Sequence, residues 1–555
     1  MMTVGNRSVR WGTLDALLAT KVRQHGDAPF AEVDSTSLSL RDIEERSRSV
    51  GLNLLRLGVK KGDRVASFMF NAPEQLLVMF AAIRMGAVWT PVNAGLVGND
   101  LGYTLEDCGA NVLVVDAENY AKLDVLAVEQ RRRLRTYVVG ADPQGDDRPF
   151  ADLIEATRGD ALPVTAPEDP AIILYTGGTT GLPKGVVLPQ LSFILAGIRY
   201  GETFAVKPGE RHFTTLPLFH AAAQQFAVMG PLVNDMTTVI DRRFSAGNYW
   251  NRVRATRANV IDPIGSMLGL LNLQPPSPDD RRHAVRVGVG IFGQVPAAVP
   301  QEFSARFGVP LVAIYGLTEA GGAMITSDRL PDQAWGSTGK SHGWAELRLA
   351  DEDDLPVATG SVGQILLRPT FPHMFMLGYH NNPAKTLQSF RNLWLHTGDL
   401  GRLDEAGNLY FVGRQAHWIR RGGENVSAFE IEQILSGMPT IAEVAVVGVP
   451  SEIGEDDIKA FIIATDNATV DPVAVVEWCR ARMAPFKVPR YVDFVADFPR
   501  SVTKREIERA VLKKMSHDGA WDREKAMGRL SSQAGGGRRS ASAAAGSPSS
   551  RSSDQ

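Results

Sequence analysis

Cysteine is nearly absent from this chain: two residues, Cys108 and Cys479, in 555. They lie far apart and form no metal-ligand spacing, which excludes a disulfide framework and suits a reducing compartment. Charge of either sign is not in excess. Lys and Arg number 59 against 62 Asp and Glu, a formal net charge of −3, and the basic residues are scattered. The electrostatic footprint of a nucleic-acid binder is missing. Long apolar runs are missing too. The longest candidate, Leu76–Ile83, is broken by Arg84, well short of the roughly 20 residues that span a bilayer. The first residues, MMTVGNRSVRWGTLDALL, lack the apolar stretch of a signal peptide, and the last, SSDQ, are no peroxisomal address. The expected location is cytoplasmic.

What is present is an ordinary globular composition, 44% apolar and 22% charged. A chain of this length exceeds one core, so two or three packed units are expected. Residues from about Ser531 to Gln555 are Gly-, Ser- and Ala-rich with no large apolar residue. Such a segment cannot offset the entropy of ordering, and a disordered tail is expected. Elsewhere helical and strand patterns alternate. APEQLLVMFAAIRMG puts Leu76, Leu77, Phe80 and Ala81 on one helical face, with Gly86 to stop it. NVLVVDAE (Asn111–Glu118) and AIILY (Ala171–Tyr175) read as short buried strands. The alternation argues for α/β layers with largely parallel sheets. A helix over Phe429–Leu435 and strands over Glu443–Pro450 and Ile458–Ala464 suggest a small α+β unit late in the chain, after a boundary near Arg414–Trp418.

The stretch YTGGTTGLPKGV (Tyr175–Val186) sets four glycines, three threonines and Lys184 directly behind a strand. Glycine reaches dihedrals that turn backbone N–H groups toward an anion, hydroxyls add donors, and lysine adds charge. That chemistry suits a polyphosphate. It is not a Walker A loop, because the hydroxyls precede Lys184 and Gly185 follows it. Alone, it would more often read as a surface turn.

It is followed in order by YGLTEA (Tyr315–Ala320), WLHTGDLG (Trp394–Gly401), Gly413–Arg414 and RRGGENVSAFEIE (Arg420–Glu432). Together these segments resemble the adenylate-forming superfamily of acyl-CoA synthetases, adenylation domains and luciferases, over roughly Leu14 to Lys525. The resemblance implies a large N-terminal AMP-binding domain (1–413) of layered α/β subdomains with a small β-barrel-like part. It also implies a small mobile α+β domain (414–525), followed by the tail (526–555). ATP, Mg²⁺ and coenzyme A are implied as cofactors and co-substrate, and a small carboxylic acid as partner.

Site roles follow from the same resemblance. Thr176, Gly177, Gly178, Thr179, Thr180, Gly181 and Lys184 would hold the ATP phosphates. Gly293 and Gln294 would line the adenine pocket, and Tyr315 and Gly316 would lie against the ring. Thr318 would bond the α-phosphate, Glu319 would hold Mg²⁺, and Asp399 would accept both ribose hydroxyls beside Arg414. Residue chemistry agrees: Mg²⁺ takes one or two carboxylates plus phosphate oxygens, and a carboxylate is an acceptor for two adjacent hydroxyls. His220, in LPLFHAAAQQF, would shape the acyl entrance or serve as a helix-start residue. Arg421, Gly422 and Gly423 would adjoin pantetheine or form a solvated turn.

The chain departs from the family at three places. Gly177 replaces the usual serine. His417 stands where the hinge carries Asp or Lys. PRSVTKRE puts Lys504 and Arg505 around the position of the usual C-terminal lysine, and either could act. The segments LFHAAAQQ and SPDDRRHAVRVGVG look most like the crotonobetaine/carnitine–CoA ligase branch, with medium-chain fatty and cyclic or aromatic acids left open. Transfer to a carrier protein, or a catalytically impaired nucleotide binder, are the alternative functions. A homodimer is an open option.

Overall fold

The structure is a computed structural model describing residues 2–4, 7–156, 161–178, 181–291, 297–329, 335–415, 418–421, 424–451, 456–465, 468, 470–500, 506–517 and 519–527. Two large sheets make up the N-terminal part. The eight-stranded sheet has a parallel centre that includes Arg64–Phe68, Val88–Val92, Val112–Asp116 and Pro170–Gly178. It is closed at one edge by antiparallel Gly181–Pro189 and Gly378–Tyr379. The nine-stranded sheet has parallel strands such as Arg211–Thr214, Val260–Ile261, Val287–Gly290 and Leu311–Leu317. Beyond Leu311–Leu317 the sheet continues antiparallel through Gly322–Arg329 to the edge strand Lys340–Ser341. The alternating helical and strand patterns of the sequence thus give the parallel α/β layers expected from it.

The helix expected around Leu76–Ala81 runs over Pro73–Arg84, with proline at its first turn where no N–H is needed. It is buried on all sides, not one. Its Phe80 meets Phe30 of the nine-stranded sheet edge to face, ring centroids 6.2 Å apart. The helix is therefore packed between the two sheets, and its continuous apolar run is the signature of that double burial. The strand Leu311–Leu317 shows how the outer layers are shared. Leu311, Ala313 and Tyr315 join the central core, while Val312 and Ile314 join a second cluster with Tyr200, Phe204 and Phe226 on the opposite face. This is the two-residue period of a strand buried on both faces.

A third, antiparallel sheet holds Ala345–Ala350, Val362–Pro369, Trp394–Leu403 and Leu409–Arg414. After it the helix Ala428–Ser436 and a four-stranded sheet that includes Ile441–Pro450 and Asp456–Ala464 form an α+β unit with its own core of Ile419, Val426, Ile431, Val446 and Ile462. Among the described residues no helix is long and apolar enough to cross a membrane.

One local expectation changes form. The glycine stretch, read as a loop, is a β-hairpin: Pro170–Gly178 pairs antiparallel with Gly181–Pro189, Thr176 opposite Lys184 and Gly178 opposite Gly181. Glycine permits a turn but does not require one. The hairpin's ladder bonds come from its own two strands, and Gly378–Tyr379 pairs with the far side of Gly181–Pro189 at Val186 and Val187.

Candidate active site

Three sheets contribute side chains to one place. Lys184 comes from the hairpin on the eight-stranded sheet, Glu319 from the turn after Leu311–Leu317, and Asp399 from Trp394–Leu403 of the antiparallel sheet. The links between them are short. The Tyr315 hydroxyl donates to Asp399 Oδ2 at 3.0 Å. Arg414, opposite Asp399 in the strand register, sets its Nε 3.4 Å from Oδ1. The Tyr379 hydroxyl donates to Glu319 Oε1 at 2.9 Å, and Lys184 Nζ sits 6.0 Å from the Tyr379 ring centroid.

The electrostatics join the same groups. Burial pushes the Asp399 carboxyl above its ordinary range; Arg414 and the Tyr315 hydroxyl oppose that shift, and Glu319 adds to it. Burial lowers Lys184, the neighbouring Lys385 lowers it further, and Glu319 raises it. Burial also holds the phenols of Tyr315 and Tyr379 well above their ordinary value, so both remain hydrogen-bond donors.

The turn that presents Glu319 is anchored at several points. Thr318–Ala320 is one 3₁₀ turn, closed by Gly321 N–H donating to the Thr318 carbonyl at 3.0 Å. The Glu319 carbonyl accepts from Met376 N–H at 2.9 Å. Gly321 sits at φ +69, and a Cβ there would lie 1.9 Å from the Met374 carbonyl oxygen. Only glycine satisfies both conditions.

Tyr379 was not among the residues singled out from the sequence. Its position follows from Val186 pairing with Tyr379, supported by His380 N–H donating to the Gly185 carbonyl at 2.7 Å. The one local signal was a Gly-Tyr pair before the Asn382 cap, whose side chain accepts from Lys385 N–H and starts the helix Pro383–Ser389. That helix returns Thr386 to accept from Tyr379 N–H at 2.9 Å. Tyr379→Phe removes a neutral donor to an ionised acceptor, a bond worth about 1.5–3 kcal/mol. ATP–pyrophosphate exchange should fall about tenfold with the thermal midpoint little changed, checked by exchange rate and calorimetry side by side.

Thr176 and Gly316 lie in the strands leading into this cluster, and Thr318 opens the Glu319 turn. His220 precedes the short helix Ala221–Ala223 and meets Phe219 edge to face at 4.8 Å. The chain then enters a π-helical stretch, Gln224–Met229, a feature often found at functional sites. Arg421 is engaged elsewhere: Nη2 lies 3.3 Å from Asp457 and 3.9 Å from Glu524, and burial lowers its guanidinium. Thr179, Thr180, Gly293, Gln294, His417, Gly422, Gly423, Lys504 and Arg505 lie outside the described residues.

Residues 18–380 match the family model described as AMP-binding enzyme, and residues 430–505 match its C-terminal domain. The chain belongs to the AMP-binding enzyme family. This is the superfamily expected from the ordered motifs. A crotonobetaine/carnitine–CoA ligase of Salmonella heidelberg is 33% identical to this AMP-binding enzyme over 474 residues, 84% of this chain and 91% of that one. Among solved structures, the anthranilate CoA ligase AuaEII with anthranoyl-AMP superposes at TM-score 0.81 and 25% identity, covering 92% of this chain and 98% of the other. ATP-bound MatB from Rhodopseudomonas palustris gives 0.81 and 25%, covering 91% and 98%. Within this AMP-binding enzyme the two matched stretches leave 381–429 between them, and that connection carries Asp399, Arg414 and Arg421.

Proposed function

We propose that the protein is an ATP-dependent acid–CoA ligase that activates a carboxylic acid as its acyl-adenylate and then transfers the acyl group to coenzyme A. The observation that carries this reading is the convergence of Lys184, Glu319 and Asp399 around the two tyrosines. In the first half-reaction a carboxylate oxygen attacks the α-phosphorus of ATP, the bond to the β-phosphate oxygen breaks, and pyrophosphate leaves. In the second the thiol sulfur attacks the acyl carbon, the bond to AMP breaks, and the thiol gives up its proton. Neither half needs a protein nucleophile; positioning and stabilisation of negative charge suffice.

Asp399 accepts the ribose hydroxyls, with Arg414 and Tyr315 orienting its two oxygens. Tyr315 and Gly316 flank the adenine, with Gly293 and Gln294. Lys184, Thr176, Thr179 and Thr180 take the phosphates, and Thr318 donates to the α-phosphate. The donor set fits Mg²⁺: one half-buried carboxylate, Glu319, oriented by Tyr379, among described residues that gather no cage of three or more acidic, His or Cys side chains. Mg²⁺ that arrives on the nucleotide needs only one or two protein oxygens and would neutralise the phosphate charge there.

The smaller unit, proposed as 414–525, moves about the hinge at His417 between the half-reactions and brings Lys504 or Arg505 to the first and the Gly422–Gly423 segment to coenzyme A in the second. Because Arg421 is held by Asp457 and Glu524, its part is to fix the strands Trp418–Arg421 and Glu424–Ser427. The 33% identity favours a short or polar acid of the crotonobetaine and carnitine kind.

The test is pyrophosphate release over a panel of carboxylates, with and without coenzyme A. AMP and thioester formation that require coenzyme A are expected for one class of acid. Turnover only with a phosphopantetheinyl carrier protein would replace coenzyme A as acceptor, and no pyrophosphate with any acid would leave a nucleotide-binding protein without catalysis.

A further inference from the structure

The helix Gln190–Phe204 begins where the phosphate hairpin ends, and its Arg199 is completely buried. Arg199 Nη2 donates to the Gly321 carbonyl at 2.7 Å. The same oxygen accepts from Gln225 Nε2 of the π-helical stretch at 3.3 Å. Seven residues earlier on that helix, Ser192 Oγ donates at 2.8 Å to the Met374 carbonyl, the oxygen against which Gly321 is packed. Two helices thus converge on the residue that closes the Glu319 turn.

A neutral amide would be enough to hold a carbonyl, as Gln225 does. A guanidinium is costly here. Among the described residues, Nε and Nη1 are buried without a hydrogen-bond partner, and burial lowers the group to about 10, against which Glu202 pulls upward. Glu202 itself accepts from Trp344 Nε1 at 3.0 Å. At neutral pH Arg199 is therefore a buried positive charge with no ion pair among the described residues. Unsatisfied buried charge in a native fold calls for a functional account.

We propose that Arg199 is a positioning residue for metal-bound ATP: its bond to the Gly321 carbonyl pins the turn that carries Glu319 and so holds that carboxylate in place for the metal that arrives with the nucleotide. This rests on the reading of Glu319 as the metal-holding carboxylate.

The full chain is titrated calorimetrically with ATP plus Mg²⁺, with ATP plus EDTA, and with AMP. The proteins are wild type, Arg199→Lys, Arg199→Gln, Arg199→Met and Glu319→Ala. Arg199→Gln and Arg199→Met should each lose about 10–100-fold of the ATP affinity that Mg²⁺ confers, the scale for partners that orient a metal ligand. Arg199→Lys should recover part of it, and AMP affinity should stay unchanged in all three. Should Arg199→Met not fold, the comparison of Lys with Gln carries the same information. The proposal is overturned if Arg199→Gln binds ATP and Mg²⁺ as wild type does. It is equally overturned if Arg199→Gln weakens AMP and metal-free ATP as much as metal-bound ATP, which is what a purely structural residue would do. If Glu319→Ala leaves the Mg²⁺ effect intact, the metal reading of Glu319 fails, and this inference with it.

Discussion

Glu319→Ala lowers ATP–pyrophosphate exchange by about 10²–10³-fold, the scale of removing one preorganised stabiliser of developing charge. The turn around Glu319 is what makes this an effect on chemistry more than on folding. Its backbone is held by Met376 N–H and by the Gly321 closure, neither of which involves the Glu319 side chain. The variant loses the carboxylate and leaves the Tyr379 hydroxyl, which is half-buried and can turn to water. The exchange rate should therefore collapse while the thermal midpoint and AMP affinity hold. Near-normal exchange in Glu319→Ala would remove the metal-holding role and leave Lys184 as the main phosphate-facing charge.

The second large effect falls on Asp399. Asp399→Asn keeps the shape and an oxygen for the Tyr315 hydroxyl but removes the charge that faces Arg414 and the proposed ribose. Hydrogen bonds to a charged acceptor contribute about 1.5–3 kcal/mol, so ATP and AMP affinities should each fall by about 10–100-fold. Stability should move the other way. Burial raises the Asp399 carboxyl above the ordinary 3.8, so between those two values the folded state holds a proton that the unfolded state has lost. Stability from this group is therefore fullest below 3.8 and is lost as pH rises through the raised folded value. At neutral pH the ionised Asp399 is a net cost that the fold retains for its use. Asp399→Asn should raise the thermal midpoint at neutral pH and flatten the profile in the acid range. A lowered midpoint at neutral pH, with nucleotide affinity unchanged, would make Asp399 a structural partner of Arg414 and nothing more.

The sequence was informative where chemistry clusters locally. The glycine and threonine stretch before Lys184, the run from Tyr315 to Glu319, and Asp399 before Arg414 each carry their chemistry within a few residues. Their order along the chain was enough to identify the family. The alternation of apolar runs was likewise enough to anticipate the parallel layers and the later α+β unit. Periods of two and of three to four residues are local properties, and burial on both faces leaves an unbroken apolar run.

The tertiary structure alone decided three things. It turned the glycine stretch into a hairpin, whose second strand also pairs with Gly378–Tyr379, a strand far along the chain. It placed Tyr379 on Glu319 by that same pairing. It also gave Arg199 a meaning: one cation in a helical segment reads as a solvated residue, yet the packed helix carries it to the Gly321 carbonyl. Local residue chemistry determined what each group of this protein could do. Contacts between residues distant in sequence determined which groups do it together, because a hydrogen bond or a buried charge takes its energy from its surroundings and not from its neighbours along the chain.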